Sequence, residues 1–591
     1  MSYIAPVEDI MFTLNEVAGL DRAITKGLYV DISTDLVAQV LEEAGRFANE
    51  KIAPINRQGD EVGVRLESDN VAMPPGWKTI YQAWTEAGWN GLSCDPDFGG
   101  QGLPHLVQAA CTEIWNSASM AFALGPLLTS GAVEAIAAHG SSTLKQQYLV
   151  NLVSGAWMGT MNLTEAHAGS DLSTIRTRAE PQGDGTYRVT GQKIFITYGE
   201  HDLTDNIIHL VLARLPGAPV GTRGISLFLV PKILPDGARN DVHCGGLEHK
   251  LGIHASPTCT MNFGDKGGAT GWLIGEENCG LACMFTMMNN ARLAMGLQGV
   301  GIAERAFQKA LGFARERRQG RVAGSMTAAT IIEHPDIRRM LLVMKSKIHA
   351  ARGICYLTAA AIDAGHLASD DEAKRRASEK ASLLTPVAKA YGSDIGCEVA
   401  SLGLQVHGGM GFIEETGAAQ HMRDARIAPI YEGTNGIQAI DLVMRKLSLS
   451  GGEAVAGIIT EIRLNASALA ASNSTDLVTI GLGLQDACLT FEETTNFLLL
   501  AAASKATDDA LSGATAYLTM FGHTLGLSTL GTSALAAHAE IRRGADPARH
   551  QGRIALARFF ADQIAVEVDG LGRAIVTASD AQQGAEFALA S

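Results

Sequence analysis

Apolar residues fall into two rhythms along this chain. From the start to about residue 158 they recur at helical spacing. Leu36, Val40, Leu41, Ala44 and Phe47 form one stripe, which predicts a helix that Pro54 closes. The stretch 107–138 is rich in alanine and leucine and poor in charge, so it predicts a buried helix pair, while CDPDFGGQGLP at 94–104 is loop by composition. Near Trp157 the rhythm shortens. YRVTGQKIFITY, NIIHLVLARL and GISLFLV read as strands, and Gly183-Asp184-Gly185 is a hairpin signal. Short antiparallel strands without interleaved helices predict a small barrel or sandwich. Helical spacing returns at Leu293, Leu297, Val300, Phe307 and Leu311, again after His334-Pro335-Asp336, and again over about 373–400. SLSGGE at 448–453 reads as a linker. Beyond it, 477–503 and 554–576 are apolar and amphipathic, with Phe559, Phe560, Ile564 and Val568 as a core or subunit-interface stripe.

The expected fold class is therefore α+β, mostly α, and not a doubly wound sheet, because helices and strands do not alternate. Five segments follow: an N-terminal extension 1–35, helices 36–158, an antiparallel β-barrel or sandwich 159–285, a helical bundle 286–447 and a further helical domain 453–591.

Composition narrows the function classes. The 591 residues are 46% apolar and 18% charged, which marks a folded chain of several domains. A net charge of −15 disfavours a nucleic-acid binder. The start lacks the cationic and apolar regions of a signal peptide, and no long uninterrupted apolar run predicts a membrane span. Nine scattered cysteines suit a reducing cytoplasm, and Cys279 and Cys283 read as small core residues without a metal.

Five motifs carry chemistry. In IYEGTNGIQ, Glu432 stands in a glycine turn before a helix; it is either a helix-end charge or a base whose pKa burial raises. In MNLTEAHAGSDL, Thr164 and Ser170 supply hydroxyls around the Ala168-Gly169 bend, either a capped turn or a nest for an anion or ring carbonyl. In KIFITYG, strand alternation puts Phe195 and Thr197 on one face, as core or as the support of a flat heterocycle. RERRQGR holds Arg317, as solvated charge or as a pyrophosphate partner. QVHGGMG holds a bend that follows a helix, so it is not a Rossmann fingerprint.

No one of these motifs is specific alone; their order and spacing together are. With HPDIRRM and RDARI, they make residues 36–446 resemble the acyl-CoA dehydrogenase family. The long C-terminal part and the MSYIAPVEDIMFTLNEV start are similar to a bacterial subgroup of that family. It includes the 3-methylmercaptopropionyl-CoA dehydrogenases of dimethylsulfoniopropionate breakdown.

The resemblance implies FAD, an acyl-CoA thioester as substrate, an electron-transfer flavoprotein as acceptor and a homodimer or dimer of dimers. It implies that Glu432 takes the α-proton as the β-hydride passes to the flavin, giving a 2,3-enoyl-CoA. A second place where relatives carry the base is Asn289-Asn290-Ala291 here, without a carboxylate. Cofactor contacts implied are Met161, Leu163, Thr164, Gly169, Ser170, Phe195 (where tryptophan is usual), Thr197, Thr434 and Asn435. Arg317, Gln405, Gly408 and Gly409 would hold the adenine-diphosphate half from a neighbouring subunit. Substrate contacts implied are Ser170, Asn289, Arg292, Tyr431 and Gly433. A general fatty acyl-CoA dehydrogenase, an acyl-CoA oxidase and a DNA-associated flavoprotein are the other readings.

Overall fold

The computed structural model of the protein describes residues 3–589, apart from Asp69, Ser325, Gly584 and the side chains of Met287, Asn289, Glu586 and Phe587. The first helical stripe becomes Thr34–Phe47, opened by Ser33, whose hydroxyl accepts from the Leu36 N–H at 3.1 Å. Pro54 does not close it. The helix runs on through a π-helical turn, Ala48–Ile52, into Ala53–Val62, where Pro54 stands in the first turn. Proline is tolerated there because its missing N–H is one that a first turn leaves unpaired. A small antiparallel hairpin, Arg65–Glu67 with Asn70–Ala72, interrupts the region expected to be helical throughout. His105–Ala118 and Met120–His139 form the buried pair. Among the described residues, Met120–His139 is the one helix long and apolar enough to cross a membrane, and 78% of that stretch is buried inside the protein.

The middle of the chain is an eight-stranded sheet. The hairpin expected at 183–185 joins Arg178–Pro181 to Tyr187–Thr197. The all-antiparallel expectation needs one correction: Met158–Asn162 runs parallel to Ile207–Ala213, with Met158 opposite Ile207. Two other strands separate these in sequence, which supplies the long crossover that parallel pairing requires. The sheet wraps around Val211, Phe228, Cys244, Met261 and Phe263, which share one core. Cys279 is exposed rather than a core residue, whereas Cys283 is buried.

Three long helices follow: Gly280–Glu316, Pro335–Leu367 and Asp371–Val406. The first and third pack backbone to backbone. A Cβ on Gly299 would meet the Gly392 carbonyl at 2.1 Å, so only glycine fits that crossing.

The presumed linker is an ordered turn. Leu449–Gly452 carries left-handed residues at Ser450 and Gly451, and the Ser450 hydroxyl bonds Glu379 at 2.7 Å. The apolar stretch at 554–576 falls in two helices, Pro547–Gln563 and Glu567–Val576, with Ile564 between them. Phe560, Ile564 and Val568 are buried in the core that the C-terminal helices share with the preceding bundle, with Phe559 packed against it. The N-terminal segment joins the same core through Ile10, Leu14 and Leu20, and Asp9 reaches Arg553 at 2.6 Å.

Candidate active site

Glu432 sits on a bend made of two left-handed residues, itself at φ 55° and Gly433 at φ 81°. Thr434 then caps the helix Asn435–Asp441, accepting from the Ile437 N–H at 3.2 Å. Gln438 ties the bend down from behind. Its Nε2 donates to the carbonyls of Glu432 at 3.3 Å and Gly433 at 3.1 Å. The Tyr431 hydroxyl donates to Gln298.

Asn435 is a strut. It accepts from Lys389 Nζ at 2.8 Å and donates to Ser393 at 3.0 Å and Asp394 at 2.8 Å, so its side chain is committed inside the protein. Arg292 is held inside in the same way: it is 6% exposed and its Nη1 pairs with Asp441 at 3.3 Å, which makes it a buried counter-charge under the turn.

Burial raises the pKa of Glu432, and the nearby charges of Arg292 and then Lys389 pull it back part of the way. Lys389 in turn is lowered by burial to about 8, with Asp394 and Glu432 opposing that shift. The turn thus carries a half-buried carboxylate whose proton affinity exceeds that of an ordinary glutamate.

Glu432 lines a narrow cleft of about 50 Å³ together with Gln108, Thr112, Leu128, Glu134, Met161 and Ala294. A larger cavity of about 500 Å³ adjoins it, and the two share His105, Glu134 and Asn290. Met161, expected as a cofactor contact, lines the same cleft as Glu432.

The loop that follows Met161 is pinned by a pair the sequence reading passed over. Lys193 Nζ donates to the Leu163 carbonyl and to Glu165, both at 2.9 Å. Glu165 also accepts from the Thr177 hydroxyl at 2.6 Å and the Arg176 N–H at 2.7 Å. The available signal was two opposite charges, Glu165 in TEAHAGSD and Lys193 in GQKIFIT.

Phe195 departs from simple alternation. The register between Tyr187–Thr197 and its neighbour slips between Lys193 and Ile196, and Phe195 takes φ 60° and is 58% exposed. Phe195 and Thr197 therefore do not share a face by strand alternation; a bulge re-aims the ring. Gly169 and Ser170 are exposed, with open space where a Cβ on Gly169 would stand.

Arg317, Gln405, Gly408 and Gly409 are exposed and do not line the Glu432 cleft. They cluster at the far ends of their helices, where Phe313 stacks on His407 with ring centroids 4.5 Å apart. The Asn289 side chain lies outside the described residues.

A half-buried carboxylate in a narrow cleft and an exposed aromatic on a bulged strand thus stand in a chain of helical, β, helical architecture. The chain matches the acyl-CoA dehydrogenase N-terminal domain over 34–156, the middle domain over 160–265 and the C-terminal domain over 278–447. Residues 458–583 match the acetyl-CoA dehydrogenase C-terminal-like domain. It is 47% identical to the 3-methylmercaptopropionyl-CoA dehydrogenase of Ruegeria pomeroyi, over 98% of this chain and 100% of that one. It is 35% identical to a butyryl-CoA dehydrogenase of Syntrophomonas wolfei, over 78% of each chain. The solved structure of an acyl-CoA dehydrogenase from Bacillus anthracis complexed with FAD shares the fold, with a TM-score of 0.74, 21% identity, and coverage of 92% of this chain and 88% of that one.

The protein belongs to the acyl-CoA dehydrogenase family. It is a flavin-dependent oxidoreductase with acyl-CoA dehydrogenase activity, and its cofactor is FAD. The residues present fit that group. Phe195 offers an exposed ring, and Gly169, Gly408 and Gly409 offer backbone with open space above it.

Proposed function

We propose that this enzyme converts 3-methylmercaptopropionyl-CoA to its 2,3-enoyl thioester with Glu432 as base, in dimethylsulfoniopropionate catabolism. The observation that carries the base assignment is the left-handed Glu432-Gly433 bend, which sets a carboxylate with raised pKa into the cleft. The substrate is supported by the 47% identity to the Ruegeria pomeroyi enzyme over almost the whole of both chains.

In this reading the acyl group lies in the cleft with its α-carbon against Glu432, and the carboxylate takes the α-proton. FAD, when bound, supplies the hydride acceptor for the β-carbon. The apolar walls at Leu128 and Ala294 keep water from the carboxylate, which preserves its proton affinity. Arg292 and Lys389 favour the carboxylate and offset part of the effect of burial. Met161, Leu163, Thr164, Gly169, Ser170, Phe195 and Thr197 hold the flavin end of FAD, with Thr434 beside it. Arg317, Gln405, Gly408 and Gly409 hold the adenine-diphosphate end of a second copy's cofactor, so the enzyme is a homodimer or a dimer of dimers. Tyr431, Gly433, Asn289 and Ser170 border the CoA thioester. Electrons leave to an electron-transfer flavoprotein.

Glu432→Gln tests the base. Removing a general base costs about 100- to 10,000-fold in turnover. The variant should stay yellow with full FAD content and lose about that much kcat; a tenth or more of wild-type turnover removes Glu432 from the role. The runner-up is a short straight-chain acyl-CoA, favoured by the butyryl-CoA dehydrogenase relative and the small cleft. Higher kcat/KM for butyryl-CoA than for the thioether substrate selects it.

A further inference from the structure

The Glu432 cleft holds a second carboxyl that the base mechanism does not use. Glu134, on the helix Met120–His139, faces both the cleft and the larger cavity beside it. Its Oε2 is buried and has no hydrogen-bond partner among the described residues. Asn290 bonds its side chain from the neighbouring helix. An unpaired buried polar atom costs about 1–3 kcal/mol, so a cleft that keeps one gains that back when a ligand supplies the partner.

The surroundings define what that partner is. Ala109, Leu127, Leu128, Gly131, Ala294 and Leu297 supply much of the rest of the wall, which Gln108, Thr112 and Ser130 also reach. Burial holds Glu134 at a pKa of about 8, with the Asn290 hydrogen bond opposing, so the carboxyl keeps its proton at neutral pH and is a donor. Burial also lowers the pKa of His105 at the same junction, which leaves it uncharged. A neutral donor in a cleft of mixed but mostly apolar lining matches an acceptor atom set within an otherwise apolar chain. It does not match a charged group, nor a plain alkyl chain that would leave Oε2 unpaired.

We infer that Glu134 is a specificity-determining residue that donates a hydrogen bond to a heteroatom in the acyl chain, selecting thioether- or ether-bearing acyl groups over their all-carbon isosteres. This rests on the reading that the Glu432 cleft is the acyl site. Glu134 forms no bond in the reaction and acts only on which chain is accepted.

Three isosteric thioesters test it: 3-methylmercaptopropionyl-CoA, 3-methoxypropionyl-CoA and pentanoyl-CoA, which differ only in S, O or CH₂ at one position. One hydrogen bond is worth about 1 kcal/mol, or roughly fivefold. Wild type should favour the ether over pentanoyl-CoA by about fivefold or more in kcat/KM. An apolar cleft without a donor would disfavour the more polar ether. Glu134→Leu should cancel or reverse that ratio, and Glu134→Gln, which keeps a donor, should retain most of it. A wild-type preference for pentanoyl-CoA over the ether overturns the inference, whatever the variants do. So does a ratio unchanged in Glu134→Leu.

The thioether arm separates the two readings. If it is a poor substrate while the ether-to-pentanoyl ratio still depends on Glu134, the natural substrate assignment fails and the selectivity role stands. If the thioether turns over well and no ratio responds to Glu134, the reverse holds. FAD absorbance in each variant shows that the fold is intact.

Discussion

A glutamate at φ 55° holds a backbone conformation that costs roughly 1–2 kcal/mol for a residue with a Cβ. The cost is carried by Gln438 and Thr434, which bond the turn from below. The same turn sets the pH behaviour of the reaction. A base acts as its carboxylate, and burial raises the pKa of Glu432, so kcat/KM should climb with pH through a value above the ordinary glutamate range and then level off. Lys389→Met removes a positive charge that favours the carboxylate. The acidic limb should therefore move to higher pH, read from kcat/KM profiles of the two proteins at constant ionic strength. A limb that moves down or stays in place means that Lys389 is too well screened to act on the base. Arg292→Gln should shift the limb in the same direction and also remove the more buried of the two cations on Asp441, the other being Arg445 at 2.7 Å. Breaking a buried pair outright costs about 3–5 kcal/mol; with Arg445 still in place the loss of thermal stability should be smaller than that. The glycine turn that holds Glu432 was legible from EGTNG. The role of Arg292 was not, because its partner Asp441 stands 149 positions away.

Two departures from regular structure show why the elements were easier to read than their interruptions. KIFIT alternates in the same way with or without a bulge. The slip at 193–196 depends on the register of Thr258–Phe263, a strand some 60 positions on, so the exposed Phe195 ring could not be placed from its own segment. Pro54 misled for a related reason: a π-helical turn before it converts a helix end into a first turn. The long helices and the hairpin at 183–185, by contrast, rest on local spacing and appear where expected. The bulge has a consequence for FAD. An exposed ring contributes little to the stability of the protein alone, and aromatic stacking is worth about 0.5–1.5 kcal/mol. Phe195→Ala should therefore leave the unfolding temperature of the FAD-free protein within about a degree of wild type. It should weaken FAD binding by roughly two- to tenfold, measured by equilibrium dialysis. Phe195→Trp should hold FAD at least as well as wild type. Unchanged FAD affinity in Phe195→Ala would show that the ring does not pack on the flavin.

At the scale of the whole molecule, the C-terminal helices are built into the catalytic unit. The helix Ala514–Arg542 packs against Pro335–Leu367, against Asp371–Val406 and against Asn435–Asp441, the helix that follows the base. The contact to Asp371–Val406 is close because position 522 is glycine: a Cβ there would meet the Tyr391 ring at 2.2 Å. Tyr391 is two residues from Lys389, which holds Asn435 under the turn. The Tyr391 hydroxyl also pairs with His523 at 3.2 Å. A side chain at 522 would therefore push through Tyr391 toward the strut of the active site, in a core that has no spare room. Gly522→Leu should cost at least about 1–3 kcal/mol by overpacking, seen as a lower thermal midpoint in one transition, since the C-terminal helices and the bundle share a core. It should lower kcat more than FAD content, because the strain passes through Tyr391 toward Asn435, at the start of the helix that follows Glu432. Two separate unfolding transitions, with full activity surviving the first, would instead mean that the C-terminal helices are an independent appendage and that the Tyr391 contact does not reach the base.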